Sequence, residues 1–456
     1  MKADVKFRHE TMDKWVPDFT KLPAMIRDRM PKKTEQWNVV ASHSAHKNNI
    51  DRRHFTEAVQ HLSQHQQWKW PKQRLFVITD PHADAEGFIA SLVISGGVIK
   101  TGEQATDFKL SKAGKKGIFI IGGDCLDKGP SNLQLLKSIR HLMDTGANVK
   151  LLAGNHDMRL FMGIHAIGLE RHPTTEHLFV RMGGKVIPLL REVYDQYLKG
   201  KPLSNKIPDE AECKRRLFPH EEWFEAFPHV ASELMTEAGI KRELHKMRKK
   251  YDHFEQACFK AGFSMREVYA IALKCRALFL HSKGEFAWFY QEMQLAYRKG
   301  SFLFIHAGVD DGISKTISKK GLSYINRQFR DHIEKDLFRF YYGSLANTMR
   351  TKYRPADLPL TQKGVNRMSR KGLLAVVQGH INRKHGQRIA LKQGLLHIEC
   401  DITIDRNSRK KEGLSGYGIG VTIIDPSKRI IGISSDYPYA KVFEPEHYLS
   451  NKEARL

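Results

Sequence analysis

From Arg74 onward the chain carries short apolar runs, each closed by a polar cluster: LFVIT (75–79), IFII (118–121), VKLLA (149–153), FLFIH (302–306) and LLAVVQ (373–378). Brief apolar runs that end on Gly, Asp, Asn or His predict buried strands with functional loops at their C-terminal ends. Three more runs predict successive sheet strands: LLHIEC (395–400), YGIGVTII (417–424) and RIIGISS (429–435). The glycine-rich stretch Gly413–Gly420 reads as a turn before an edge strand, since it lacks the lysine and the following helix of a phosphate loop. Between the early strands the spacing becomes helical, with Leu133, Leu136, Ile139 and Leu142 on one face. The alternation predicts an α/β domain.

Between His156 and Phe302 the pattern is helical. Val186, Leu189, Leu190, Val193, Tyr197 and Leu198 share one face, and Val268, Ile271, Cys275 and Leu278 share another. Residues 158–300 therefore read as a helical insertion, in which Lys246–Lys250 is a solvated face. Residues 1–73 are polar and basic, with histidine-containing stretches at Ser42–His46 and His61–His65. Their tryptophans at 15, 37, 68 and 70 need something to pack on. This part reads as a helical N-terminal extension laid over the main domain. The expected order is the extension (1–73), a main domain in two pieces (74–157 and 301–436), the insertion (158–300) and a C-terminal tail (437–456).

Composition narrows the class. Apolar residues make up 41% of 456, enough to fold a large core, and no apolar run is long enough to cross a membrane as a helix. The opening MKADVKFRHETMDKW holds no apolar stretch, so a secretory signal is not expected. Five widely spaced cysteines without a CxxC pair read as reduced thiols, which points to the cytoplasm. The net charge of +25 calls for an anionic partner without saying which. Residues 315–411 hold 22 Lys and Arg against 7 Asp and Glu, the densest part of the excess.

The strand ends carry the chemistry. LFVIT is followed by Asp80-Pro81-His82, IFII by Gly122-Gly123-Asp124-Cys125-Leu126-Asp127-Lys128-Gly129, and VKLLA by Gly154-Asn155-His156-Asp157. FLFI delivers His306, and LLAVVQ delivers Gly379-His380. Carboxylates mixed with imidazoles suit Mn, Fe or Zn better than Mg or Ca, which prefer oxygen alone. Each fragment is common by itself; the ordered set of five is not.

Those fragments, in that order, resemble the calcineurin-like metallophosphoesterase superfamily and, within it, the phosphoprotein-phosphatase branch. The resemblance covers about 75–157 and 301–424. It implies a four-layer α/β/β/α sandwich holding two divalent metal ions, with Mn first and Fe or Zn as alternatives. Carried over by position, Asp80, His82 and Asp124 would hold one ion. Asp124, Asn155, His306 and His380 would hold the other, with Asp124 bridging. The implied chemistry is two-metal phosphoester hydrolysis by a bridging hydroxide. His156 would act as general acid, with Asp127 orienting its ring.

The departures from the family pattern are informative. Thr79 and Ala83 stand where glycines flank the first motif, and Lys128 stands for an arginine, giving a point charge in place of a fork. The phosphate grip is therefore expected to be looser or shared. Asn382 replaces the second histidine of the GHxH found in phosphodiesterases, which favours a phosphatase. Asp157 in GNHD and the long insertion lean toward bacterial Ser/Thr phosphatases and diadenosine tetraphosphatases. A second phosphate-binding arginine is expected between the last two histidines, at Arg350 or Arg354 ahead of Arg339. His165, His172 and His177 read as surface-loop histidines, and Asp401 and Asp405 as structural.

Three functions follow: a Ser/Thr protein phosphatase first; a hydrolase of dinucleoside polyphosphates or RNA ends on the same site; or a basic nucleic-acid binding protein on a degenerate phosphatase fold. The expected partner is an anionic phosphorylated substrate, a phosphoprotein or a nucleotide, with nucleic acid left open and no membrane. The sequence does not specify the oligomeric state.

Overall fold

A computed structural model describes residues 19, 22, 24–37, 52–65 and 67–448. The apolar runs form strands, and their burial explains why they lack alternation. All four residues of Leu75–Ile78, of Ile118–Ile121, of Phe302–Ile305 and of Ala375–Gln378 are buried, as expected of strands covered on both faces.

In chain order the strands are β1 Lys33–Gln36, β2 Leu75–Ile78, β3 Val98–Lys100, β4 Phe108–Leu110, β5 Ile118–Ile121, β6 Asn148–Leu151 and β7 Ala296–Lys299. They continue with β8 Phe302–Ile305, β9 Ala375–Gln378, β10 Arg388–Lys392, β11 Leu395–Glu399, β12 Gly420–Asp425, β13 Arg429–Ser434 and β14 Tyr439–Phe443. One seven-stranded sheet runs β1-β14-β13-β12-β2-β5-β6, and a five-stranded sheet runs β10-β11-β9-β8-β7. Within the first, β2, β5 and β6 are parallel; within the second, β8, β9 and β11 are parallel. Side chains of both sheets and of the surrounding helices belong to one hydrophobic core, a mixed α/β arrangement.

The run at 417–424, expected at an edge, gives β12 at Gly420–Asp425, and this strand lies between β13 and β2. Its six residues are all buried, which an edge position would not require.

The N-terminal part is mixed. It holds a helix at Arg52–His65, and it also supplies β1, paired in parallel with β14 from beyond residue 436. The Trp37 N–H donates to Val442 O at 2.7 Å, and its ring covers Gly432 so closely that a side chain there would strike it. Trp68 and Trp70 stack with centroids 6.0 Å apart and both meet Phe302. Trp15 and the stretch 42–46 lie outside the described residues.

Helices fill most of 155–292, the longest being Glu237–Lys260. Among the described residues no helix is long and apolar enough to cross a membrane.

Candidate metal centre

The loops at the strand ends bend through backbone conformations that side chains rarely adopt. Eleven non-glycine residues among those described have positive φ, and six of them are Asp80, His82, Asp124, Asp127, Lys128 and His380. Left-handed backbone at non-glycine positions costs about 1–2 kcal/mol per residue and clusters where function needs it. Two glycines make the turns feasible. A Cβ on Gly154 would run into the backbone N of Asp124, and one on Gly379 into Asp80 Oδ2. The motif glycines are there for close approach.

These turns bring two groups together. Asp80, His82 and Asp124 offer ligand atoms within 4.8 Å of one another, and so do Asp124, His306 and His380. Asp124 is common to both. The first group comes from the ends of β2 and β5, and the second joins β5 to β8 and β9, so the centre spans both sheets. Asn155 borders it, with its amide 2.9 Å from His380 Nδ1.

Second contacts fix which nitrogen of each ring faces inward. His306 Nδ1 donates to Gly122 O at 2.8 Å, His82 Nδ1 to Leu126 O at 3.3 Å, and His380 Nε2 to Arg350 O at 3.2 Å. The opposite nitrogen of each ring is turned to the cluster, the arrangement metal-ligating histidines use. His306 Nε2 is buried without a hydrogen-bond partner and stands 3.4 Å from Asp124 Oδ2. Lys128 Nζ lies 2.5 Å from His82 Nε2, so a cationic group already stands against the first cluster.

Electrostatics agrees. Burial pushes Asp80 well above the usual carboxylate range, and Asp401 adds to the shift. Burial would also raise Asp124, but His306 and His156 outweigh it and hold it well below. Burial would lower His306, yet Asp124 and Asp80 push it up to about 10. The carboxylates call for positive charge at that nitrogen, and a divalent ion is the group whose donor preferences match the mixed oxygen and nitrogen set. The residues present fit such ions.

His156 adjoins the cluster. Its backbone N–H donates to Asp124 Oδ1 at 2.7 Å, its Nδ1 lies 2.9 Å from Asp127 Oδ2, and its Nε2 lies 4.0 Å from Asp124 Oδ2. Burial pushes Asp127 up to about 6 and His156 well below its ordinary value. Asp157 binds the two loops together, accepting from Leu126 N at 3.0 Å and Gly154 N at 3.2 Å. From the helix Ile187–Val193, Glu192 accepts from the N–H groups of Asn132 and Leu133, each at 2.8 Å, and Asn132 Oδ1 accepts from Asp127 N at 3.0 Å.

Other predicted residues fall as follows. Arg350 places its guanidinium 4.7 Å from the Tyr341 ring centroid, with its carbonyl against His380. Arg354 is bound by Asp357 at the surface. Asn382 turns away to Glu412 Oε1 at 3.1 Å. His177, read as a surface histidine, is fully buried among Trp223, Phe227 and Tyr342. Lys250, read as solvated, lies over Gly183 and donates to Arg181 O. The basic stretch 315–411 uses many of its arginines internally: Arg383 and Arg388 on Glu399, Arg406 on Asp84, Arg409 on Asp436. Arg159 escaped the motif reading. Its signal was helical spacing, since Asn155 and Arg159 stand four apart on the helix Asn155–Ala166.

Residues 73–260 match the model of the family described as calcineurin-like phosphoesterase. The match takes in Asp80 to Asp157 and ends before His306 and His380. No curated protein matches the chain. Among solved structures, a mutant cold-active protein tyrosine phosphatase is 13% identical, with 91% of this chain and 93% of that chain covered and a TM-score of 0.41. A cold-active protein tyrosine phosphatase of a psychrophilic Shewanella species is 14% identical, with 91% and 93% covered and a TM-score of 0.38. A protein serine/threonine phosphatase from Saccharomyces cerevisiae is 12% identical, with 87% and 91% covered and a TM-score of 0.36.

Proposed function

We propose that this chain, whose residues 73–260 match the calcineurin-like phosphoesterase model, is a phosphomonoesterase acting on phosphorylated Ser or Thr side chains. The observation that carries the reading is Asp124, shared by two ligand groups and adjoining the His156–Asp127 pair. Asp80, His82 and Asp124 would hold one divalent ion. Asp124, Asn155, His306 and His380 would hold a second, with Mn2+ the first choice and Fe or Zn the alternatives. Bound there, the ions supply Lewis-acid charge and a water of lowered pKa.

The protein's own groups do the rest. Asp127 accepts the Nδ1 proton of His156 and stabilises its imidazolium form, in which Nε2 also carries a proton, the one given to the leaving oxygen. Lys128 contributes positive charge at the first group. Asn382, turned to Glu412, adds no ligand, which favours a phosphomonoester over a diester.

A second reading, a dinucleoside polyphosphate or an RNA end, gains support from the cations around Asp127. Arg159, Lys185 and Lys128 all draw its carboxyl down against burial. The test is metal content measured together with a panel of phosphopeptide, bis-aryl phosphodiester, diadenosine tetraphosphate and 5′-triphosphate RNA. Mn2+-dependent release of phosphate from the phosphopeptide is expected. Turnover of the tetraphosphate alone would transfer the function to the second reading.

A further inference from the structure

Arg159 has no part in the machinery assigned so far, yet it shares the Asn155 amide with His380. With Oδ1 turned toward His380 Nδ1 and Met349 O, the Asn155 amide would face two acceptors, and its Nδ2 would face two donors, Arg159 Nη2 and the His156 N–H. Rotated by half a turn, Nδ2 donates to His380 Nδ1 at 2.9 Å and to Met349 O at 3.1 Å. Its Oδ1 then accepts from Arg159 Nη2 at 2.8 Å and from the His156 N–H at 3.3 Å. In both orientations His380 Nδ1 is an acceptor, because Nε2 donates to Arg350 O.

The rotated orientation is the one that the surrounding donors and acceptors assign to the protein without an ion. The rotated one satisfies its atoms by hydrogen bonds alone. The other sets the lone pairs of Asn155 Oδ1 and His380 Nδ1 toward each other, which a cation reconciles. It also removes the acceptor that Arg159 Nη2 would otherwise use. Arg159 Nε is buried without a partner, so the guanidinium then presents unpaired donors. Its charged neighbours include Lys185, Lys250 and Asp127, which leaves it in a mainly cationic wall.

We propose that Arg159 is the guanidinium that grips the substrate phosphoryl group, released for that task when Asn155 Oδ1 turns to a bound divalent ion. It supplies the planar fork that Lys128 lacks. The proposal rests on the metal-centre reading above. Because coupling is reciprocal, Arg159 also favours the amide orientation that opposes the ion, and its loss should leave metal affinity equal or higher.

The test uses the full chain, wild type against Arg159→Lys, which keeps charge and loses the fork, and Arg159→Gln. Thermal melting checks that each is folded. Mn2+ is titrated calorimetrically into each protein, and inorganic phosphate is then titrated into the loaded protein. Phosphate should bind loaded wild type, and bind both variants about tenfold or more weakly, the scale of a lost charge-assisted hydrogen bond. Mn2+ should bind Arg159→Lys at least as tightly as wild type. Unchanged phosphate affinity in the loaded variants overturns the grip, and weaker Mn2+ binding by Arg159→Lys overturns the coupling. A wild type that takes up no Mn2+ refutes the metal-centre reading itself, a failure that the first titration distinguishes.

Discussion

His156 Nδ1 lies 2.9 Å from Asp127 Oδ2, and both side chains are buried. In the proposed reaction that contact leaves the outer nitrogen for proton delivery. Replacing His156 by Asn should lower kcat by about 10²–10⁴-fold for phenyl phosphate, and far less for p-nitrophenyl phosphate, whose leaving group needs no proton. Equal losses on both esters would reject a general-acid role.

Asp124 is the one carboxylate common to both ligand groups. Asp124→Asn should therefore reduce Mn2+ uptake at both positions, and Mn2+ should raise the melting temperature of wild type but not of the variant. Elemental analysis after dialysis reads the first effect and calorimetry the second. Full metal content in the variant would contradict the assignment.

Glu192 reaches from the helix Ile187–Val193 to the N–H groups of Asn132 and Leu133. Removing its carboxylate leaves these donors unpaired, and Asn132 in turn holds the Asp127 loop. Glu192→Leu should destabilise by about 1–3 kcal/mol in urea unfolding. It should also lower kcat more than it raises KM. A stability loss with kinetics intact would confine Glu192 to a structural role.

The buried pair Arg181 and Glu243 is completed by Tyr342, whose hydroxyl donates to Glu243 Oε1 at 3.2 Å. Glu243→Ala leaves a buried guanidinium uncompensated and should cost about 3–5 kcal/mol. Arg181→Met with Glu243→Leu should recover much of it, read from melting temperatures. A harmless single variant would show that the pair carries no such constraint.

His177 is pushed from 6.5 to about 3, chiefly by burial, with Arg181 adding to the shift and Glu243 opposing it. A folded value below the unfolded one means that the unfolded chain binds the proton first. Stability is therefore complete above about 6.5 and is lost as pH falls toward 3, by up to ~1.4 kcal/mol per pH unit. His177→Phe should flatten urea midpoints across that window, and an unchanged slope would place the titration elsewhere.

The local sequence determined a good deal. Apolar runs such as 118–121 and 302–305 must be buried, and their shortness and closing turn residues read as strands; the residues closing them lie at the candidate centre. Helical spacing likewise holds in the helix Met265–Leu280, where Val268, Ile271, Cys275 and Leu278 are buried. What periodicity cannot carry is which element lies beside which. The pairing of β1 with β14 joins residues some four hundred apart, and β12 lies inside a sheet between β13 and β2, the latter some 340 residues earlier in the chain. Charge misled for the same reason. A tally counts Arg383, Arg388, Arg406 and Arg409 as basic excess, whereas the fold spends them on buried or partly buried carboxylates. Residue types and their order thus determined the fold class and the candidate ligands, since both follow from short-range pattern and donor chemistry. Tertiary structure alone decided the surroundings: His177 in a core, Lys250 over Gly183, Asn382 turned away and Arg159 against Asn155. Those depend on contacts between distant segments, which no local spacing encodes.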